Sequence, residues 1–229
     1  MKKKILISSG YKDFHLISAA KSLLKNKSNL ILYAGFFINP FIKRIFLFNK
    51  FKKLDYRRQN IDFKYLRTFL LGEIIHEFAL FLNSSFKLKT ISDLLIQFSY
   101  KIYSIRIIKV IKKINNFNIY HFRSGFGGRS VEYAKSIGLK VVCDHSIAHP
   151  SLVEYLTINK GKFPKKKPQK PKNFWKIVLE DLNNADTVLV NSQFVKKTLI
   201  FMNIPKEKIK VIYIGLEDKY FKNIKKKKI

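Results

Sequence analysis

Residues 118–145, NIYHFRSGFGGRSVEYAKSIGLKVVCDH, decide the fold. Asn118-Ile-Tyr-His-Phe122 reads as a strand, rich in β-branched and aromatic residues. Arg123-Ser-Gly-Phe-Gly-Gly128 is a glycine-rich turn, residues 129–137 read as a helix, and Gly138 stands where a left-handed residue ends it. Leu139-Lys-Val-Val-Cys-Asp144 is the next strand, with His145-Ser-Ile-Ala-His-Pro150 at its carboxyl end. A strand, a crossover helix and a strand in this span form a βαβ unit, whose strands run parallel with a right-handed crossover.

Working outward, the N-terminus repeats the pattern. Ile5-Leu-Ile-Ser-Ser9 is a buried strand, Gly10-Tyr-Lys-Asp13 a turn with Asp13 as N-cap, and Leu16, Ala19, Ala20, Leu23 and Leu24 recur at helical spacing. Asn29-Leu-Ile-Leu-Tyr-Ala34 is the following strand. Downstream, residues 160–172 (KGKFPKKKPQKPK) read as a Pro/Lys-rich loop. Helix 174–184, strand Thr187–Val190, helix 193–202 capped by Ser192, and strand Lys210–Tyr213 ending at Gly215 complete the alternation. No internal repeat is present. The expected class is α/β, an open, mostly parallel sheet with helices on both faces. Such sheets bind ligands outside the carboxyl ends of their strands.

The stretch between is less regular. Residues 36–53, FFINPFIKRIFLFNKFKK, interleave aromatics with Lys and Arg around Pro40. Phe41, Lys43, Arg44 and Phe48 give it the composition of a helix lying in a membrane interface, or of a core-facing helix with snorkelling lysine stems. Ile61, Phe63 and Tyr65 alternate with Asp62 and Lys64, which predicts a strand. Residues 68–82 and 91–115 read as helices; in the second, Ile91, Leu94, Leu95, Phe98, Ile102, Ile105, Ile108 and Ile111 form the expected apolar stripe.

Composition bounds the function. At 229 residues and 47% hydrophobic, the chain has enough core formers to fold despite a formal charge of +31 from 46 basic and 15 acidic residues. Only seven of the basic residues are Arg, the bidentate phosphate reader, and charge is spread along the whole chain. No zinc-finger spacing or RNA-binding aromatic signature accompanies it, so a nucleic-acid partner is disfavoured. Compositional bias toward Lys, Ile, Asn and Phe, or attraction to an anionic membrane surface, accounts for the charge instead. Cys143 is the single cysteine, which excludes a disulfide framework and a cysteine zinc site. The most apolar stretch, 69–82, is too short and too charged to span a bilayer, and the apolar run after the basic start is only Ile5–Ile7, too short for an export signal. A cytoplasmic protein, peripheral at the inner face of the membrane, is the expectation.

Two loops draw attention for chemistry. Gly10 lets a backbone N–H approach a phosphate at a helix N-terminus, or simply makes a tight turn. Ser124, Gly125 and Gly127, with Gly128, form a second strand-to-helix loop at the same sheet edge, which either cradles a ligand or only turns. His121 lies within or at the end of a strand and reads as packed; Glu180 and Asp186 read as structural. The histidine and Asp144 spacings match no standard zinc motif, so no metal is expected, and no Walker loop, Gly-x-Ser-x-Gly elbow or catalytic triad is present.

Asn184-Ala-Asp-Thr-Val-Leu-Val-Asn-Ser-Gln-Phe-Val-Lys-Lys-Thr-Leu199, followed by Asn203-Ile-Pro-Lys-Glu-Lys-Ile-Lys-Val-Ile-Tyr-Ile-Gly215 and Phe221, resembles the end of the N-terminal domain in family-4 glycosyltransferases. Tyr120–Phe126 and Val141–Pro150 are similar to the preceding part of one subgroup. The resemblance implies a Rossmann-like lobe of the two-domain GT-B fold over residues 1–221, with 222–229 a basic tail. It implies a retaining enzyme that transfers a sugar from a nucleotide-sugar donor, with no other cofactor, to a glycan or lipid-linked acceptor in polysaccharide or lipopolysaccharide synthesis. In the family a second domain supplies most of the donor site, and this chain stops near the interdomain crossover. Activity is therefore expected to need a donor domain, on a separate chain if this one is a truncated or split product. By family position His145 is the candidate catalytic group facing the donor sugar, and His149 a candidate substrate contact. Asp144 either orients His145 or caps the strand. The competing expectation is a non-enzymatic Rossmann-like module that binds an anionic membrane surface or nucleic acid.

Overall fold

The computed structural model describes residues 3–12, 15–36 and 61–214. Seven strands form one fully parallel sheet: β1 (Lys4–Gly10), β2 (Asn29–Ala34), β3 (Leu66–Thr68), β4 (Ile119–Arg123), β5 (Lys140–His145), β6 (Thr187–Val190) and β7 (Ile209–Val211). Their order is β3-β2-β1-β4-β5-β6-β7. The order reverses between β1 and β4, the point in such a sheet where the loops diverge and a crevice at the carboxyl edge is expected. The helices are α1 (His15–Lys25), α2 (Leu70–Phe86), α3 (Lys89–Ile114), α4 (Arg129–Ser136), α5 (Val153–Ile158), α6 (Asn173–Asn184) and α7 (Gln193–Phe201).

Strand parity explains the two core layers. Leu6, Ile31, Tyr33, Tyr120, Phe122, Val141 and Cys143 join one cluster with Tyr103, Ile107 and Ile111 of α3 and Leu182 of α6. Ile7, Leu30, Leu32 and Ala34 point to the other side and pack with Leu16, Ile17 and Ala20 of α1. Both faces of β1 and β2 are buried, as in a parallel sheet covered by crossover helices, while β4 keeps one face half-buried at Ile119, His121 and Arg123. The Pro/Lys-rich stretch from 160 to 172 carries no helix or strand, as expected.

Two expectations are corrected. Residues 61–65 do not form the strand: the Asp62 side chain accepts the Lys64 N–H at 3.0 Å and closes a 3-10 turn over Phe63–Tyr65, and the strand follows at Leu66–Thr68. The inward face of α3 is also not the aliphatic stripe. Its buried residues are Ser92, Ser99, Tyr100, Tyr103, Ser104, Ile107 and Ile111, so Ile111 alone is shared with the expected set. Ile91, Leu94 and Phe98 are exposed. Small serines let the backbones approach and the tyrosines reach inward with their hydroxyls, which outweighs a simple count of apolar positions.

Tyr103 shows what that choice achieves. Its hydroxyl accepts the Gly10 N–H at 3.1 Å, donates to the Tyr33 carbonyl at 3.2 Å and lies 3.0 Å from Ser8 Oγ. Its ring meets those of Tyr11, Tyr33 and Phe126 edge-on at centroid distances of 5.2 Å. One buried side chain thus ties the ends of β1 and β2 to the long helix. Tyr103→Phe keeps the packing but orphans the Gly10 N–H in a dry site. We expect it to destabilise the fold by about 1–3 kcal/mol, read as a lowered urea midpoint at unchanged slope.

Candidate functional site

The carboxyl edge is built from loops whose backbone donors are held by buried acids. Asp181, on α6 and 1% exposed, accepts the N–H groups of Gly125 (2.7 Å), Gly127 (3.0 Å) and Gly128 (2.8 Å). Burial pushes its carboxyl up to about 7, against those three donors, each of which favours the charged form. Gly125 has φ +91, and a Cβ on Gly127 would fall 2.4 Å from the Phe122 ring. Glu73, on α2 and 2% exposed, accepts the N–H groups of Lys12 (3.1 Å) and Phe36.

Of the two readings of this loop, a ligand cradle or only a turn, the turn accounts for Gly125 and Gly127: the loop is rich in glycine because it wraps a carboxylate of its own chain. Gly10 is accounted for in the same way. Its N–H belongs to Tyr103, its φ is +75, and a Cβ there would fall 2.5 Å from the Phe126 ring.

The histidines separate by strand parity. His145 is fully buried; its Nδ1 lies 2.9 Å from Ser124 Oγ, and its Nε2 has no hydrogen-bond partner. Burial lowers its pKa to about 4, against a smaller opposing pull from the peptide groups of Ala148 and Ile147. The ring of the candidate catalytic residue His145 thus faces inward, and the Ser124 hydroxyl expected to bind substrate is engaged with it. His149 is also closed off at 2% exposed, its N–H donating to Thr198 Oγ1 at 3.1 Å and its Nδ1 accepting the Ser151 N–H at 3.2 Å. Burial lowers its pKa to about 4 as well.

Asp144 points to the opposite face of β5 from its neighbour and does not orient it. His15 Nε2 donates to Asp144 Oδ1 at 2.7 Å, and His121 Nε2 lies 3.5 Å from Oδ2. Burial acts to raise the Asp144 pKa, but the two imidazoles outweigh it and hold the carboxyl below its usual range. His15 keeps 26% of its side chain exposed, so this is the imidazole that the crevice can reach. Beside it, Arg123 at the end of β4 donates to the Tyr11 carbonyl at 3.0 Å and lies over the Phe126 ring.

The sequence reading missed His15, assigned His121 to packing, and did not single out Arg123 or Asp181. A findable signal existed for His15: the first helical residue after the first strand of a βαβ unit stands at the carboxyl edge. Phe41, Lys43, Arg44 and Phe48 lie outside the described residues, as do Asp13 and the stretch from 215 to 229. Among the described residues, no group of three or more His, Cys, Asp or Glu side chains is arranged to hold a metal ion. A second concavity of about 470 Å³ opens beyond β5, lined by Tyr155, Ile158, Pro168, Lys170, Lys172 and Trp175 among others.

The family model described as Glycosyltransferase Family 4 matches residues 88–220, more than half of the chain. No curated protein matches the sequence. Among solved structures, Arabidopsis thaliana UGT89C1 complexed with UDP-L-rhamnose is similar, at TM-score 0.56 and 10% identity, over 95% of this chain and 53% of its own. Os79 from O. sativa, in complex with UDP and deoxynivalenol-3-glucoside, is similar at TM-score 0.52 and 9% identity, over 94% and 53%. Apo UGT2 of Phytolacca americana follows at TM-score 0.51 and 11% identity, over 93% and 52%. At such identities the likeness is one of fold, and the chain spans about half the length of these structures.

The buried imidazole of His145 gives a pH prediction. Its folded pKa of about 4 lies below the ordinary 6.5, so the unfolded chain takes up this proton first as pH falls. The associated stability is complete above about pH 6.5 and is lost as pH falls through about 4, a total of about 3 kcal/mol. Asp181 acts in the opposite sense over part of this window, so the measurement is a difference. Chemical denaturation of wild type and His145→Gln from pH 7.5 to 4 should show the wild type losing that increment relative to the variant.

Proposed function

The chain belongs to glycosyltransferase family 4, and on that premise we propose that it is the acceptor-side lobe of an enzyme that moves a sugar from a nucleotide-sugar to a glycan or lipid-linked acceptor. The observation that carries the assignment of the site is the His15–Asp144 pair at the carboxyl edge, 2.7 Å apart and partly exposed. Asp144 fixes the ring of His15, whose exposed edge contacts the acceptor and holds its hydroxyl oxygen toward the anomeric carbon. Arg123 adds positive charge at the neighbouring strand end.

In the transfer, a bond forms between the acceptor oxygen and the anomeric carbon as the bond from that carbon to the diphosphate breaks. Retention, the outcome the resemblance implies, has the diphosphate leave from the face by which the acceptor enters and take the hydroxyl proton. His15 is then an acceptor-binding group, with no need of net proton uptake. The donor's diphosphate is held by a second lobe, and without one the chain is expected to show negligible transfer.

Binding to immobilised glycans tests the assignment without requiring turnover. Wild type should retain a subset of glycans, and His15→Ala and Asp144→Asn should each lose about tenfold or more in affinity, the effect of removing one charge-assisted hydrogen bond. Variants that bind as well as wild type, or a wild type that retains no glycan, would refute the assignment. Product analysis with a donor lobe supplied should show the donor's anomeric configuration retained.

A further inference from the structure

Helices α2 and α3 form an antiparallel hairpin whose large apolar residues face out. Leu71, Ile74, Phe78 and Phe81 of α2 are each more than half exposed and follow helical spacing. Ile91, Leu94 and Phe98 continue the face on α3, and Phe86 and Leu88 cap it at the turn, all exposed. The inward positions of α2 are Gly72, Glu73 and Ala79, and those on the first turns of α3 are Ser92 and Ser99. Small and polar groups thus take the fully buried positions, Ile75, Leu80, Leu82, Leu95 and Ile96 are half-buried, and the remaining aromatic and branched side chains meet solvent. Nine large apolar side chains exposed along one hairpin, with Glu77 among them, mark an interaction surface.

Its position is informative. The ties to the sheet edge run through Glu73, at the Lys12 and Phe36 N–H groups, and through Ser99, whose carbonyl accepts the Tyr11 hydroxyl at 2.8 Å. The hairpin from Phe78 to Phe98 lies outboard of those ties. At 1.5 Å per residue, the ten residues from Lys89 to Phe98 carry it about 15 Å further. It therefore stands on the carboxyl side of the sheet, where His15 and Asp144 lie.

The geometry points to a lipid surface with anionic headgroups as the occupant of this face. Among the described residues no helix is long and apolar enough to cross a membrane, so the hairpin lies in the interface and does not span it. The turn alternates apolar and cationic residues, Phe86-Lys-Leu-Lys89, all exposed, which places lysines at headgroup level beside buried apolar side chains. The whole chain carries +31, which draws it to an anionic bilayer and opposes close approach of a second copy through the same face. This inference rests on the acceptor-lobe assignment only in its purpose: it brings the acceptor crevice to lipid-linked substrate.

Flotation of the full chain with vesicles tests it. Phosphatidylcholine vesicles containing about a third phosphatidylglycerol should carry the wild type up, and pure phosphatidylcholine should carry much less. The triple variant Phe81→Ser/Phe86→Ser/Leu94→Ser should lower the floated fraction at least about tenfold. Its melting temperature should hold, because these side chains are exposed. As a second readout, the fluorescence of Leu94→Trp in a Trp175→Phe background should shift to the blue and be quenched by brominated acyl chains. His15→Ala should float like wild type, which separates failure of the acceptor assignment from failure of this one. The proposal is overturned if the triple variant floats as wild type does, or if brominated chains leave the Leu94→Trp fluorescence unquenched. It is equally overturned if neutral vesicles bind as well, or if the wild type forms a lipid-independent dimer that the triple variant abolishes.

Discussion

Three buried carboxylates hold the carboxyl edge of this sheet in place. Glu73 takes the N–H groups of Lys12 and Phe36, Asp181 those of Gly125, Gly127 and Gly128, and Asp144 the imidazole of His15. A parallel sheet ends in loops whose peptide donors point away from any neighbouring strand, and each one left dry and unpaired costs as much as a lost hydrogen bond. A carboxylate that accepts two or three N–H groups solves this at the cost of its own desolvation, which the charge-assisted bonds offset only in part at Asp181. In a chain with 15 acids against 46 basic residues, placing these three inside is a strong structural commitment. Loss of any one would free a loop and with it the geometry of the crevice.

That commitment decides where ligand chemistry can occur. A glycine-rich loop binds an anion only if its N–H groups are free, and here the loop after β4 is already occupied by Asp181. The N–H of Gly10 is likewise occupied, by Tyr103. Imidazole and guanidinium also stand at this edge: His15 on Asp144, His121 close by, and Arg123 on the Tyr11 carbonyl. The three loop N–H groups that Asp181 takes are thereby closed to a donor's diphosphate, in keeping with an acceptor-side lobe.

The strands and crossover helices were legible because period-two alternation and glycine stops are local properties of the chain. Residues 118–145 and 184–211 follow their expected elements within a residue or two. The site was less legible because it depends on parity and register. Asp144 and His145 are neighbours in sequence but lie on opposite faces of β5, so the adjacency that made them a pair separates them in space. His15 is 129 residues from Asp144 and meets it because β1 and β5 both flank β4 in the sheet order. The fate of the loop after β4 was hidden for a similar reason: Asp181 lies more than 50 residues beyond it and carries no local signature.

The long helix α3 failed the apolar-stripe rule for a reason that bears on function. A stripe chooses the core only when the core has room for it; here the space above the sheet is filled by the rings of Tyr11, Tyr100, Tyr103 and Phe126, packed edge to face. These rings bring hydroxyls that satisfy Gly10 and the carbonyls of Tyr33 and Ser99, which leucine or isoleucine cannot do. The aliphatic residues are displaced outward, where they remain costly in water unless covered. The same polar demand of the sheet edge that fixes the acceptor crevice therefore leaves the neighbouring hairpin greasy. The crevice and the apolar face are two results of one packing problem, and they stand on the same side of the molecule because that is where the unpaired peptide groups are.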